Sequence, residues 1–233
     1  MSRHLAPHLS LLAIAALLFI LAVPGWAGEV PIYIQTTDYN GGYTSQNDTT
    51  SGGLGNFATT YENFTLLSAT NINQVVWVGS YVAGPGSPTG GITGFTVDFW
   101  SNSGNAPSSL LAAYIVAGNA GENFLQNDNF GNPTYRYVLS LSSNFAAAAG
   151  TVYWLSIVPD LAFPPQWLWE TSSQGDMNSY QCYFGTCGNN PGDLAFELDA
   201  QQQNQIPEPG CLALLVPGIL GLAASLRRKH EAR

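Results

Sequence analysis

The sequence predicts an all-β fold, two antiparallel sheets packed face to face as a sandwich or jelly roll. Three observations carry this. Between its two ends the chain breaks into short runs rich in Val, Ile, Tyr, Phe and Trp, residues that suit a pleated, half-buried surface. Clusters such as Gly84-Pro85-Gly86, Gly90-Gly91, Ser101-Asn102-Ser103-Gly104 and Asn132-Pro133 separate the runs and turn the chain. No long stretch of this middle region keeps a helical apolar period.

Taken in order, the expected strands are 31–37, 60–67, 72–80, 92–100, 110–117, 135–141, 151–158, 166–171 and 194–199. In 95–99, Phe95, Val97 and Phe99 share one face, and Thr96 and Asp98 the other. In 135–141 the odd positions are apolar. Such alternation buries one face of each strand against a second sheet, and about nine strands at this spacing make a sandwich or jelly roll. Segments 74–78 and 151–158 are apolar on both faces, as central strands covered on both sides should be. The alanine-rich 144–150 suits a single helical turn. No internal repeat is visible.

The two ends read differently. Residues 1–27 carry Arg3 and His8, then an uncharged apolar run over 9–23, then Gly25-Trp26-Ala27. That is the layout of a secretory signal peptide cut after Ala27, with an uncleaved membrane anchor as the alternative. At the other end Ile206-Pro207-Glu208-Pro209 precedes an apolar run over 210–226 and then Arg227-Arg228-Lys229. At about 1.5 Å per residue the run reaches roughly 25 Å, short for a hydrocarbon core of about 30 Å. Pro217 and Gly218 inside it are tolerated in membrane helices. The basic cluster belongs on the cytoplasmic side, which leaves the preceding domain outside.

The triplet Pro207-Glu208-Pro209, the short apolar helix and the cluster Arg227, Arg228 and Lys229, in that order, resemble the PEP-CTERM sorting signal of Gram-negative and related bacteria. The resemblance covers residues 206–233 and implies recognition by exosortase, a membrane-embedded protease, with cleavage near the triplet. An uncut C-terminal anchor is the plain alternative. The domains expected are therefore a signal peptide (1–27), a β-sandwich (28–205) and a sorting tail (206–233). The order of runs from Tyr61 to Leu198 also resembles a group of secreted bacterial β-sandwich domains that occur with anchoring tails. The matching stretches are 72–81, 95–100, 149–157 and 193–198. Some of that group look similar to the jelly rolls of carbohydrate-binding modules.

Composition narrows the chemistry of the middle. Arg136 is its one cationic side chain, set against thirteen carboxylates, a formal charge of −12. Nucleic acid and anionic lipid are excluded as partners, because neutralising phosphates needs cations. Membrane contact is expected only through the terminal segments. His4, His8 and His230 are the only histidines and lie in the end segments. This removes a Ser-His-Asp or Cys-His machine and a His-ligated zinc from the options. Cys182 and Cys187 flank Tyr183-Phe184-Gly185-Thr186 and, after export, are expected to pair as a disulfide. Cys211 belongs to the apolar run.

Three candidate sites remain. Trp167, Tyr180 and Tyr183 stand near turns and the cysteine pair, where rings stack on sugars; the competing expectation is that they fill the core, as is expected of Trp77 and Trp154. Asn127-Asp128-Asn129 with Gly131 and Asn132, and Asp176 with Asn178, offer calcium oxygens, but neither matches a full loop motif and ordinary Asx turns explain both. Glu62, Asp98, Glu122, Glu170 and Glu197 supply carboxylates for glycoside hydrolysis, with no motif singling out a pair. The expectation is a non-catalytic exported protein of the cell surface or extracellular matrix, without cofactor. Signal peptidase and exosortase would be its partners during export. The alternatives are a carbohydrate-binding module for exopolysaccharide and, third, a glycoside hydrolase.

Overall fold

The computed structural model describes residues 28–82 and 91–201, and every regular element among them is a β-strand. The first seven are β1 (Glu29–Gln35), β2 (Thr37–Thr44), β3 (Gln46–Asp48), β4 (Gly55–Thr65), β5 (Thr70–Val82), β6 (Gly94–Ser103) and β7 (Ala106–Ala117). They are followed by β8 (Asn123–Asn127), β9 (Pro133–Ala147), β10 (Val152–Asp160) and β11 (Gln166–Ser172). The last four are β12 (Asn178–Tyr183), β13 (Thr186–Pro191), β14 (Asp193–Leu194) and β15 (Phe196–Gln201). The signal peptide and the sorting tail lie outside the described residues.

The strands form two sheets. In the first, β5 is the spine: β9 runs along one side of it, and β15 and then β11 share the other. β1 adds outside β15, and β2 outside β11. In the second sheet the order is β13-β12-β4-β3-β10-β6-β7. β4 and β10 pair directly over Tyr61–Thr65, and β3 wedges between them further along. Neighbours are antiparallel apart from the single contact of β3 with β10.

Each nine-strand expectation corresponds to an observed strand, and the alternation holds. Phe95, Val97 and Phe99 are fully buried, while Thr96 and Asp98 are half-buried on the other face. β10 is buried on both faces along most of its length. The expected helical turn over 144–150 gives way to strand: β9 continues to Ala147, because Ile72 pairs with Phe145 and Thr70 with Ala147 along the long β5. Pairing with a neighbour outweighs the intrinsic helix preference of alanine.

The core lies between the sheets and is aromatic. Trp77, Tyr137, Trp167, Trp169 and Phe196 of the first sheet meet Phe64, Phe95, Phe99, Leu155 and Ile157 of the second. Phe99 stacks on Phe145 with centroids 4.2 Å apart, and Trp77 meets Phe95 edge-on at 5.0 Å. Room for the indoles comes from Gly79. A Cβ there would sit 2.1 Å from the ring of Trp167, so only a residue without a side chain fits beside it.

Ser45 is where the chain crosses from one sheet to the other, being the one residue between β2 and β3. It is fully buried. Its hydroxyl donates to the carbonyl of Ile157 (2.6 Å) and accepts from the amide of Thr60 (3.2 Å), so it bonds to both strands it passes between. Gln46 follows, also buried. Its Nε2 donates to the carbonyls of Leu161 and Pro165, and its Oε1 accepts from the amide of Trp167 at 2.9 Å. Buried polar side chains need this degree of satisfaction.

Candidate aromatic face and buried carboxylates

The face of the second sheet that points away from the core carries a band of rings. Pairing in register gives one row, Tyr180–Tyr61–Ser156–Asp98–Ala113, and beside it a second, Asn63–Trp154–Trp100–Leu110. Side chains two residues apart on a strand share a face, so both rows lie opposite Tyr153, Leu155, Phe95, Val97 and Phe99. Tyr61 stands edge-on to Trp100 (5.8 Å) and to Tyr180 (6.1 Å), and Tyr180 is 6.2 Å from Trp154. Tyr61, Trp100 and Tyr180 are half-buried, and Trp154 is sealed beneath its neighbours.

Polar groups fix the rings. The indole N–H of Trp100 donates to the hydroxyl of Ser156 (3.0 Å), and that of Trp154 to Oδ1 of Asn102 (2.9 Å). Asn63 Nδ2 donates to the carboxylate of Asp176 and to the carbonyl of Asn178. Asp98 is different: its Oδ1 is buried and has no hydrogen-bond partner. Burial pushes its pKa up to about 6. The phenol of Tyr61 is also raised, first by burial and then by Asp98 and Tyr180. The face thus presents ring edges and faces, and beneath them lies a buried acceptor without a donor.

The three aromatic residues expected to bind sugar are sent to three places. Trp167 is a correction: it is fully buried in the core, with its indole N–H donating to the hydroxyl of Tyr137 at 3.2 Å, so no ligand reaches it. The proline turn before it belongs to the surface, but β11 pairs with both β5 and β2 and carries the ring inward. Tyr180 lies in the outer band. Tyr183, an odd number of residues further along β12, faces the other way and meets Phe57, while Phe184 packs on both. Cys182 and Cys187 are bonded to each other. They are direct partners in the β12–β13 hairpin, whose two-residue loop is Phe184-Gly185 with both φ angles positive, 46° and 78°, as a turn of type I′ requires.

The family described as a domain of unknown function, DUF7901, matches residues 46–198. The chain belongs to this family. No curated protein and no solved structure matches. The DUF7901 match opens at the first residue of β3 and closes within β15. It takes in every ring of the outer band and the disulfide hairpin, and leaves out β1 and β2.

Within the DUF7901 domain the five carboxylates are dispersed. Glu62 points between the sheets, where Asp193 and Asp176 are the acids that act on it. Asp98 is on the outer band. Glu122 accepts from the hydroxyls of Tyr81 and Tyr137. Glu170 is buried on the outer side of the first sheet, and Glu197 lines a cleft there with Arg136 and Leu125. The first calcium candidate is an Asx turn. Asp128 Oδ1 accepts from the amides of Phe130 and Asn132, and Oδ2 from the side chain of Asn132, so both oxygens are spent. Among the described residues no three acidic, His or Cys side chains gather as a metal cage. Tyr61 and Trp100 join the outer band without belonging to any local sequence motif. The signal for Trp100 was present: it continues the Thr96, Asp98 alternation on the face opposite Phe95 and Phe99. The sorting residues Pro207, Glu208, Pro209, Arg227, Arg228 and Lys229 lie outside the described residues.

Proposed function

We propose that this DUF7901 protein is an exported, non-catalytic protein of the cell surface or extracellular matrix. Its jelly-roll sandwich binds neutral exopolysaccharide on the outer face of the second sheet. The observation that carries the binding reading is the row Tyr180–Tyr61–Ser156–Asp98, with Trp100 beside it: half-buried rings, the Trp100 indole held by Ser156, stand around a half-buried carboxyl group. Sugar C–H faces stack on such rings, and the phenol hydroxyls of Tyr61 and Tyr180 can bond sugar hydroxyls. A charge of −12 on the domain disfavours polyanions and leaves neutral or cationic polymers as ligands. The disulfide supports an oxidising location. The export route rests on the two ends of the sequence: a signal peptide over 1–27 and a PEP-CTERM tail that holds the protein briefly in the inner membrane until exosortase acts.

Two experiments test this. On a glycan array the purified full chain is expected to retain neutral polysaccharide. Trp100→Ala or Tyr61→Ala should then cost about 2 kcal/mol of binding, roughly thirtyfold in Kd. No retained glycan, or unchanged affinity in both variants, sinks the binding reading. Glycan turnover abolished by Asp98→Asn would move the protein to the glycosidases. For sorting, Glu208→Ala in a host with exosortase is expected to leave full-length protein in the membrane fraction, while the parent chain is shortened. Equal mass and location for both would refute the exosortase route.

A further inference from the structure

Buried oxygens without donors gather at one place inside the sandwich. Glu62 and Asp193 are both fully buried, and each has one carboxylate oxygen bonded to backbone amides and one without a hydrogen-bond partner. Glu62 Oε2 accepts from the amide of Leu194 at 3.0 Å. Asp193 Oδ1 accepts from the amides of Asp176 (3.1 Å), Met177 (2.9 Å) and Asn178 (3.3 Å). The second oxygens, Glu62 Oε1 and Asp193 Oδ2, have no partner. Neither have Oε1 of Gln35, which is 3 % exposed, and Oγ of Ser179, which is fully buried.

These four side chains are neighbours. Ser179 is the register partner of Glu62 across β12 and β4. Gln35 and Asp193 both act on the Glu62 carboxyl group. A Cβ on Gly175 would lie 2.5 Å from Gln35 Nε2 and 2.6 Å from Asp193 Cγ. Those two side chains therefore meet under the loop between β11 and β12, with Gly175 at its centre. Gly175 has a φ of 123°, a backbone conformation that side chains rarely allow. Tyr33 completes the wall: its hydroxyl takes the Gln35 Nε2 donor at 2.9 Å and leaves the amide oxygen free.

Two carboxylates buried side by side are costly unless a cation or a proton joins them. No protein cation is in place. Arg136 is the only Lys or Arg among the described residues, and it lies on the outer side of the first sheet beside Glu197. We propose that Glu62, Asp193, Gln35 and Ser179 form an interior site for a calcium ion. The donors are all hard oxygens, two of them anionic, with no nitrogen or sulfur; this composition suits calcium rather than zinc or copper. Calcium takes six to eight oxygens in irregular geometry, so carbonyl or water oxygens complete the shell, whereas magnesium demands a near-octahedral cage. The ion would tie β1, β4, β12 and β14 together. Asp176 and Asn178, read in the sequence as loop ligands, serve instead to wrap Asp193 through their backbone amides.

The test uses the purified full chain, stripped with a chelator and dialysed. Adding calcium at about a hundredfold over its Kd should raise Tm by roughly 5–10 °C. Terbium should give luminescence sensitised by Tyr33, and calcium should quench it by displacement. Glu62→Gln, which keeps the acceptor for the Leu194 amide, should abolish both responses. Ser179→Ala, a smaller change, should weaken calcium binding about tenfold and keeps the test open should Glu62→Gln misfold. A wild-type chain with no Tm response and no terbium signal overturns the site. Gain of stability in Glu62→Gln without any calcium response would show that the two acids share a proton instead. Terbium binding untouched by both substitutions would place the ion elsewhere and also overturn it.

Discussion

In the presence of a chelator, the unfolding free energy of this protein is expected to fall as pH rises from about 4.5 to 7, and Glu170→Gln should remove much of that fall. Glu170 is fully buried on the outer side of the first sheet, and neither carboxylate oxygen has a hydrogen-bond partner. Burial pushes its pKa from 4.5 up to about 7; Ser80 opposes the rise, and Asp128 and Asp38 add to it. The sign follows from proton counting. Below about pH 4.5 the carboxyl is protonated in folded and unfolded chains alike, so nothing is lost. Between about 4.5 and 7 the unfolded chain ionises and the folded one keeps its proton, so unfolding gains. Above 7 the cost is constant, on the order of 3 kcal/mol for a difference of this size.

Asp98 and Asp199 act in the same direction. Burial raises Asp98 to about 6, and burial together with Glu197 and Glu29, opposed by Arg136, raises Asp199 to about 7. Asp48 has the opposite sign. Its carboxylate accepts from Thr50, Leu54 and Phe163 and is held at about 2, so its contribution is lost only as pH falls below about 4. The stability maximum should therefore lie near pH 4–5, where net charge is also small. Urea melts at pH 4.5 and 8 decide it: Glu170→Gln should match the parent at the lower pH and exceed it by about 3 kcal/mol at the higher. Equal pH slopes for the two chains would show that Glu170 is ionised and satisfied in the fold.

How far the sequence foretold this structure depends on where its apolar residues fall. Strands such as β5, β6 and β10 announce themselves because one or both faces are buried and their Val, Phe and Trp alternate or run on. β2 (Thr37–Thr44) and β13 (Thr186–Pro191) carry mostly Asn, Gly and Thr, and β12 (Asn178–Tyr183) mixes Asn, Ser and Gln with Cys182 and two Tyr. They are strands because a neighbour pairs with them, which composition does not record. The hairpin of β12 and β13 was half-visible, through Gly185 and the two cysteines. The same limit governs the sites. Tyr180 could be suspected alone, but its band arises from Tyr61, Trp154 and Trp100, contributed by three other strands through register. Glu62 and Asp193 are far apart in the chain, and no local motif joins them.

The sharpest separation between a ring that folds the domain and rings that serve its surface is Trp167→Ala. This change should cost about 3–5 kcal/mol of stability, near the upper end for a core aromatic. The indole is fully buried, lies edge-on to Phe95 (5.9 Å) and Tyr137 (6.0 Å), and fills the groove that Gly79 leaves open. Its loss also strips the Tyr137 hydroxyl of a donor, and a buried polar group left short of a partner adds to the cost. Several of its neighbours are rings braced on each other, so the cavity should collapse little. By contrast Trp100→Ala and Tyr180→Ala truncate half-buried rings on the outer band and should cost much less. Denaturant melts on the three variants rank them. Glycan affinity, measured on the fraction that remains folded, should be unchanged in Trp167→Ala and reduced in the two surface variants. A Trp167→Ala protein as stable as its parent would mean that the indole does not sit between the sheets, and the placement of β11 would have to be redrawn with it.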